Sequence, residues 1–503
     1  MDNEHLDVLI VGAGLSGIAA GYHLQNESPD RTYAILERRE AIGGTWDLFR
    51  YPGIRSDSDM HTLGYSFKPW RSPKAIADGP SIREYVQETA RENGIDKKIR
   101  FGFKVLRASW STPNARWTVE AEKTADGEIV QFTANFLFMC SGYYNYDQGY
   151  TPEFAGVEDF GGRIVHPQKW TEDINYTDKK VVVIGSGATA VTLVPEMAKD
   201  ASHVTMLQRS PTYIVSMPSE DATANYLRSK LPEKLAYALT RWKNVLSFSL
   251  VFRLCRRYPA AIKKRLLQQV REHLGDGHDI KRDYTPRYDP WDQRMCMVPD
   301  GDLFEAIKAG DASVLTDEID RFTSKGLLLK SGKELDADLV VTATGLNLLF
   351  LAGLQVEVDG KAIQLSDCLT YKGVMFSGLP NLAMTVGYTN ASWTLKCDLT
   401  CEYVARLLNH MRDGGYKQVC PHVDPSVTVA EDLLPLTSGY IQRSIKDFPK
   451  QGSREPWKSY NNYMRDILMV RYGKVADDAL VFSSPEKGSE DLGEEFRSEG
   501  AAA

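Results

Sequence analysis

The sequence predicts an α/β protein in which two Rossmann-like units share one chain with a helical insertion. Two observations carry that expectation. A short apolar run, a glycine-rich turn and a helix-period segment follow one another near the start of the chain and again after Lys180. Between residues 213 and 289, by contrast, long segments rich in Leu, Lys and Arg show helical spacing and no strand alternation.

The first unit begins with residues 7–11, a strand, followed at once by GAGLSG and a helical pattern running to Leu24. Gly12, Gly14 and Gly17 fit G-x-G-x-x-G. The first glycine permits the tight turn, the second lets the backbone approach a pyrophosphate, and the third lets helix and strand pack closely; Ser16 lies among them. The next strand, YAILE, ends in Glu37, about 20 residues beyond Gly17, where an acid can bind ribose hydroxyls. Strand, turn, helix and acid in register point to a bound dinucleotide and away from a merely structural turn.

The second unit starts at Lys180 with VVVIGSGATAV. Residues 181–184 are its strand, Gly185, Ser186, Gly187, Ala188, Thr189 and Ala190 its turn in the permitted G-x-G-x-x-A form, and a helix runs towards Ala198. Its next strand, HVTMLQ, ends in Arg209 and Ser210 instead of an acid. A cation and a hydroxyl suit a ribose 2′-phosphate, which a carboxylate would repel, although Arg209 also fits a solvated surface charge. One loop served by Glu37 and another by Arg209 is most simply FAD with NADPH.

After the insertion, LVVTATG at 339–345, which carries Thr344, and PNLAMTVG at 380–387 are apolar runs closed by glycine, the pattern of buried parallel strands returning to a nucleotide. The first domain is therefore expected to be split. Residues 1–145 and 346–483 form the FAD-binding domain, and 146–215 and 289–345 form a linker with the NADPH-binding domain. Residues 216–288 form the helical insertion, and 484–503 an acidic tail too poor in large apolar residues to fold.

A net charge of −7 argues against a nucleic-acid partner. The seven cysteines are odd in number and contain no C-x-x-C pair, which reads as reduced cytosolic thiols with no metal site. The start of the chain is acidic before its apolar run, so no secretory signal is expected there. No stretch reaches the roughly 18 uncharged apolar residues of a membrane span. A cytoplasmic protein is the expectation. Within the insertion, Arg241, Lys243, Arg253, Arg256, Arg257, Lys263, Lys264 and Arg265 alternate with Leu, Phe, Val and Trp242. Such a stretch suits either peripheral contact with an anionic membrane or a solvated basic face over an apolar core.

Two longer motifs carry a family resemblance. FGGRIVHPQKW places Phe160, Gly162, His166 and Trp170 on the F-x-G-x-x-x-H-x-x-x-W fingerprint, just ahead of the second glycine loop. GGTWDLFRYPGIRSD places Gly43, Gly44, Trp46, Tyr51, Pro52, Gly53 and Asp57 on a second set of fixed positions. With CSGYYNYD, YDPWDQRMCMVPDGDLFEAI and VGYTNASWTLK, the chain resembles the type I Baeyer-Villiger monooxygenases of the flavin-containing monooxygenase superfamily, and most of all the bacterial ethionamide-activating subgroup. Trp170 stands where the related N- and S-oxygenases usually carry Tyr or Phe. Thr171 and Gln293 depart from the pattern; many members have Lys at the latter, so NADPH preference would lean more on Arg209.

The resemblance implies an enzyme that uses FAD, NADPH and O2 to insert oxygen beside a ketone carbonyl through a peroxyflavin, giving an ester, with sulfoxidation as a second activity. It implies Arg294 as the active-site cation and Asp57 as the carboxylate orienting it. Further cofactor contacts are implied at Gly44, Thr45, Trp46 and Asn390. His166 is then an anchoring or hinge residue instead of an acid or base. The alternatives are an N- or S-oxygenase without ketone activity and a redox flavoprotein that does not oxygenate.

Overall fold

The computed structural model describes residues 4–434 and 436–485, and the strand counts given are of those residues. The acidic tail expected from residue 484 lies outside them, apart from its first two positions. The first unit is β1 (His5–Val11), α1 (Leu15–Glu27) and β2 (Tyr33–Glu37). β1 runs parallel between β2 and Ile129–Met139, with Ile10 opposite both Ile35 and Phe138. Val8, Leu9 and Ile10 are fully buried: Val8 and Ile10 pack with Ile18 and Leu24 of α1, and Leu9 packs in a second cluster with Trp117, Leu348 and Leu379.

The sheet has nine strands and is mixed, not purely parallel. Phe103–Ser111, Arg116–Lys123 and Ile129–Met139 form an antiparallel meander whose last strand feeds the parallel part. Alternate burial along Arg116–Lys123, with Trp117, Val119 and Ala121 inside, is the period-2 pattern of a half-covered strand. Gln355–Val358 and Leu382–Met384 return from the far end of the chain to join the sheet in parallel.

The second unit comprises β3 (Lys180–Ile184), α2 (Ala188–Met197) and β4 (His203–Gln208), in a five-stranded sheet that is parallel throughout. Leu339–Thr342 lies beside β3, and Arg163–Val165, inside the HPQKW-bearing stretch, forms the edge. Between the sheets' segments stand α3 (Glu233–Arg257) and α4 (Pro259–Leu274). The expected insertion starts within a strand, since Ile214–Met217 pairs in parallel with Cys296–Pro299 and ties its two ends together. The last long helix, α5 (Trp393–Asp413), packs against α1 and is buried along most of its length.

Candidate active site

The first loop is built for close approach. Gly12 has φ +104°, and a Cβ there would lie 2.7 Å from the carbonyl of Cys140. A Cβ on Gly17 would lie 1.8 Å from the carbonyl of Gly12, so only glycine lets α1 start where it does. The N-cap, Gly14, contributes no side-chain hydrogen bond, which leaves first-turn N–H groups available to an anion. A cavity of about 790 Å³ opens in front of them.

Gly12, Gly14, Ser16, Glu37, Gly44, Thr45, Trp46, Asp57 and Arg294 all line this cavity. Glu37 is 5% exposed; its Oε2 accepts from the Ala13 N–H at 2.7 Å and its Oε1 from the Arg39 N–H at 2.9 Å. Burial pushes its pKa up while the two amides pull it down, with burial prevailing. Each oxygen keeps a further lone pair for a hydroxyl. Ser16 Oγ is met by the Trp393 indole N–H at 2.9 Å, which pins the start of α5 to the loop. Orphan helix N–H groups that donate to phosphate, glycines that allow close approach and a buried carboxylate that accepts from hydroxyls are what an FAD pyrophosphate and ribose need.

Arg294 sits at one wall. Its Nη1 donates to Asp57 Oδ2 at 3.2 Å and its Nη2 to the carbonyl of Tyr388 at 3.2 Å, while Nε is buried with no partner among the described residues. Burial opposes its charge, but Asp57 and the nearby Tyr143, Tyr440 and Tyr144 hold its pKa above the ordinary arginine value. Tyr143 and Tyr144 pack edge to face at 4.9 Å, and Tyr143 lies 5.2 Å from Trp393, so aromatic rings wall this end of the cavity. Tyr388, whose carbonyl holds Arg294, is itself fixed: its hydroxyl donates to Asp466 Oδ2 at 2.7 Å, which also pairs with Lys396 Nζ at 2.8 Å. Asp466 and Lys396 are buried.

The second loop repeats the first in outline. Gly185 has φ +132°, and a Cβ there would meet the Ala343 carbonyl at 2.3 Å. Gly187, the N-cap of α2, has no side-chain cap and open space where a Cβ would be. Ser186 Oγ donates to the Ser210 carbonyl at 3.0 Å, fastening the loop to the end of β4; Gly187, Ala188, Arg209 and Ser210 are exposed, and Thr189 is half-buried. This cradle, with a cation and a hydroxyl at its rim, fits a nucleotide bearing a 2′-phosphate. None of these residues lines the first cavity. Thr344 spends its hydroxyl on the Tyr150 carbonyl at 2.6 Å. Asn390 donates to the Asn461 carbonyl at 2.9 Å, and its Oδ1 is buried without a partner; its neighbour Ala391, not Asn390, lines the cavity.

His166 spends both ring nitrogens on the scaffold. Nδ1 accepts from the Gln168 N–H at 3.1 Å, so Nε2 carries the proton and donates to the Gly345 carbonyl at 3.1 Å. Burial holds its pKa below the usual value, so it is neutral at pH 7 and joins the linker to the end of Leu339–Thr342. The tyrosine wall, the Tyr388 carbonyl and the Lys396–Asp466 pair have no spacing signal in the sequence. They come together only through the return of residues 388–396 and 461–466.

Comparison with known proteins agrees with this architecture. FAD-containing monooxygenase EthA of Mycobacterium tuberculosis is 54% identical over 481 residues, covering 95% of this chain and 98% of that protein. Probable FAD-binding monooxygenase AlmA of Acinetobacter baylyi is 50% identical over 481 residues, covering 95% and 96%. Among solved structures, an oxidized steroid monooxygenase bound to NADP matches with TM-score 0.77 at 22% identity over 95% of this chain and all of the other. OTEMO in complex with FAD and NADP matches with TM-score 0.72 at 19% identity over 95% of this chain and 99% of the other. The flavin-binding monooxygenase-like family model matches residues 6–387, and the chain belongs to that family.

Proposed function

We propose that this chain is an FAD- and NADPH-dependent monooxygenase that converts a ketone to an ester: ketone, O2, NADPH and a proton give ester, NADP+ and water. Sulfides are the second substrate class. The observation that carries the reading is the Arg294 guanidinium on the cavity wall, held in place by Asp57 and the Tyr388 carbonyl. Bound FAD would supply the acceptor for the hydride of NADPH and the place where O2 is activated.

The chain's own residues then have distinct tasks. The first loop and Glu37 hold the FAD, and the second loop with Arg209 and Ser210 holds NADPH. Attack on a carbonyl builds negative charge on its oxygen, and a fixed, permanently charged fork stabilises that charge better than a flexible ammonium does. Asp57 and Tyr388 each hold one Nη and so fix the plane of the fork, which leaves a second N–H on each Nη for that oxygen. The tyrosine and tryptophan rings exclude water from this end. The same reading assigns residues 1–145 and 346–483 to FAD, 146–215 and 289–345 to NADPH, and 216–288 to the helical insertion. Among the described residues no helix is long and apolar enough to cross a membrane. The proposed peripheral contact with a membrane rests on separate observations within the insertion.

The test is a panel of linear and aryl ketones and of sulfides with purified protein and NADPH, with products identified by mass spectrometry. Ester from at least one ketone supports the reading. Sulfoxide without any ester would favour the N- or S-oxygenase, and NADPH oxidation without oxygenated product would favour a redox flavoprotein.

A further inference from the structure

A surface helix of a soluble protein normally turns its apolar stripe inward. α3 does the reverse along much of its length. Its inner face holds Arg241, whose Nη1 donates to the carbonyls of His61 and Gly64 at 2.9 and 2.7 Å, and Asn244, which donates to Asp59 at 2.8 Å. Tyr237 adds a hydrogen bond to the Tyr65 carbonyl at 2.9 Å. These buried polar contacts fix the helix's rotation. The outer face is therefore committed to solvent, and it carries Leu235, Leu239, Trp242, Leu246 and Leu250 at spacings of three and four, one continuous ridge.

The ridge is wide open: Leu246 is 54% and Leu250 58% exposed. A second element extends it. The Trp242 ring lies 6.0 Å from that of Tyr463, and beyond it Met464, Leu468 and Tyr472 repeat every four residues at 41%, 67% and 73% exposure. Along α3 the same stripe continues past Leu250 into Arg253 and Arg257, both exposed. From Lys234 to Arg271 the chain has ten Lys and Arg and no Asp or Glu, although the whole chain is net negative.

We propose that this ridge docks on an anionic lipid bilayer, with the leucines and Trp242 entering the headgroup boundary and Arg253, Arg257, Lys264 and Arg265 meeting lipid phosphates. This deepens the proposed membrane contact and is independent of the reaction assigned to the cavity. Apolar insertion together with several cations is the pairing of signals that reversible membrane binding needs. A second copy of the chain is a poorer occupant, because the same face of a second copy offers these cations no acidic side chain between Lys234 and Arg271. Arg256 is a weak participant, being engaged by Asp292 at 2.7 Å. On its inner side α3 packs through Val245 on Tyr388, so docking places the Arg294 site about one helix diameter, ~10 Å, from the lipid.

The test uses full-length, FAD-loaded protein and co-sedimentation with vesicles of phosphatidylglycerol and phosphatidylcholine, against phosphatidylcholine alone. The wild type is expected to pellet with the anionic vesicles, less so as salt rises, and weakly with the zwitterionic ones. Leu246→Glu/Leu250→Glu and Arg253→Glu/Arg257→Glu should each weaken partitioning roughly tenfold or more, with flavin content and thermal melting unchanged. All four positions are exposed, so the fold tolerates the changes. A wild type that stays in the supernatant, or variants that pellet like it, overturns the proposal. So does a wild-type dimer, seen by light scattering, that the leucine pair dissociates without any vesicle binding; that result would assign the ridge to a second copy.

Discussion

Replacing Arg294 by Lys keeps the positive charge and removes the fork. In the native site the fork is fixed at two points, Nη1 on Asp57 and Nη2 on the Tyr388 carbonyl, each at 3.2 Å, and each Nη keeps a second N–H. A lysine ammonium has one nitrogen on a flexible stem. If it pairs with Asp57 it no longer spans to Tyr388 and no longer presents a fixed donor to the cavity. Loss of one preorganised donor at a developing oxyanion costs about 2.7–4 kcal/mol, or 10²–10³ in rate. Because the lysine retains charge, the lower end, roughly 10²-fold, is expected in kcat for ester formation. The assay follows ester by mass spectrometry and NADPH by absorbance in parallel, with flavin content measured on the same samples. Flavin binding should hold, because the fork lies at one wall and the first glycine loop at another. An Arg294→Lys protein with full flavin and ester formation within about threefold of wild type would refute the argument.

Other outcomes follow from the same geometry. Gly17→Ala should prevent accumulation of folded, flavin-containing protein, since its Cβ would stand 1.8 Å from the Gly12 carbonyl; normal flavin absorbance in the purified variant would contradict this. Arg209→Ala should raise KM for NADPH about tenfold to a hundredfold, the range of one hydrogen bond to a charged group, while leaving KM for NADH nearly unchanged. Equal effects on the two nucleotides would remove Arg209 from 2′-phosphate recognition. His166→Ala breaks the link to Gly345 and should increase NADPH consumed per product formed while FAD stays bound; unchanged coupling in a steady-state assay would count against an anchoring role. Burial opposes a charge on His23, but Asp398 at 3.9 Å and Glu27 at 2.6 Å outweigh it and push its pKa up to about 10, from an ordinary 6.5. That stabilisation is complete below pH 6.5 and is lost as pH rises through about 10. The melting temperature of wild type should therefore fall more steeply between pH 7 and 10 than that of His23→Gln, and parallel curves would contradict the assignment.

The two glycine loops, their strands and Glu37 were legible in the sequence because each depends on local chemistry. A glycine that must approach a carbonyl, a buried apolar strand and an acid at its end all sit within a span of about thirty residues. The antiparallel meander from Phe103 to Met139 was not, since its pairing is set by partners along the sheet more than by any turn signal. Arg294 and Asp57 were reached through family resemblance, because 237 residues separate them and no periodicity joins such a pair. The residues that hold Arg294 from behind, Tyr388, Lys396 and Asp466, escaped for the same reason. The insertion's helices were evident, and its basic residues were too. What the sequence hid was direction: helical spacing shows that Leu239, Trp242 and Leu246 share a face, but only the buried contacts of Arg241 and Asn244 show that this face points outward.

The most direct test of the central claim is a reaction under isotopically labelled oxygen gas, with purified protein, NADPH and the ketone panel. The expected product is an ester carrying one labelled oxygen atom, inserted beside the former carbonyl, with NADPH consumed in step with ester formed. NADPH oxidised with no labelled ester from any ketone in the panel, only hydrogen peroxide, would contradict it.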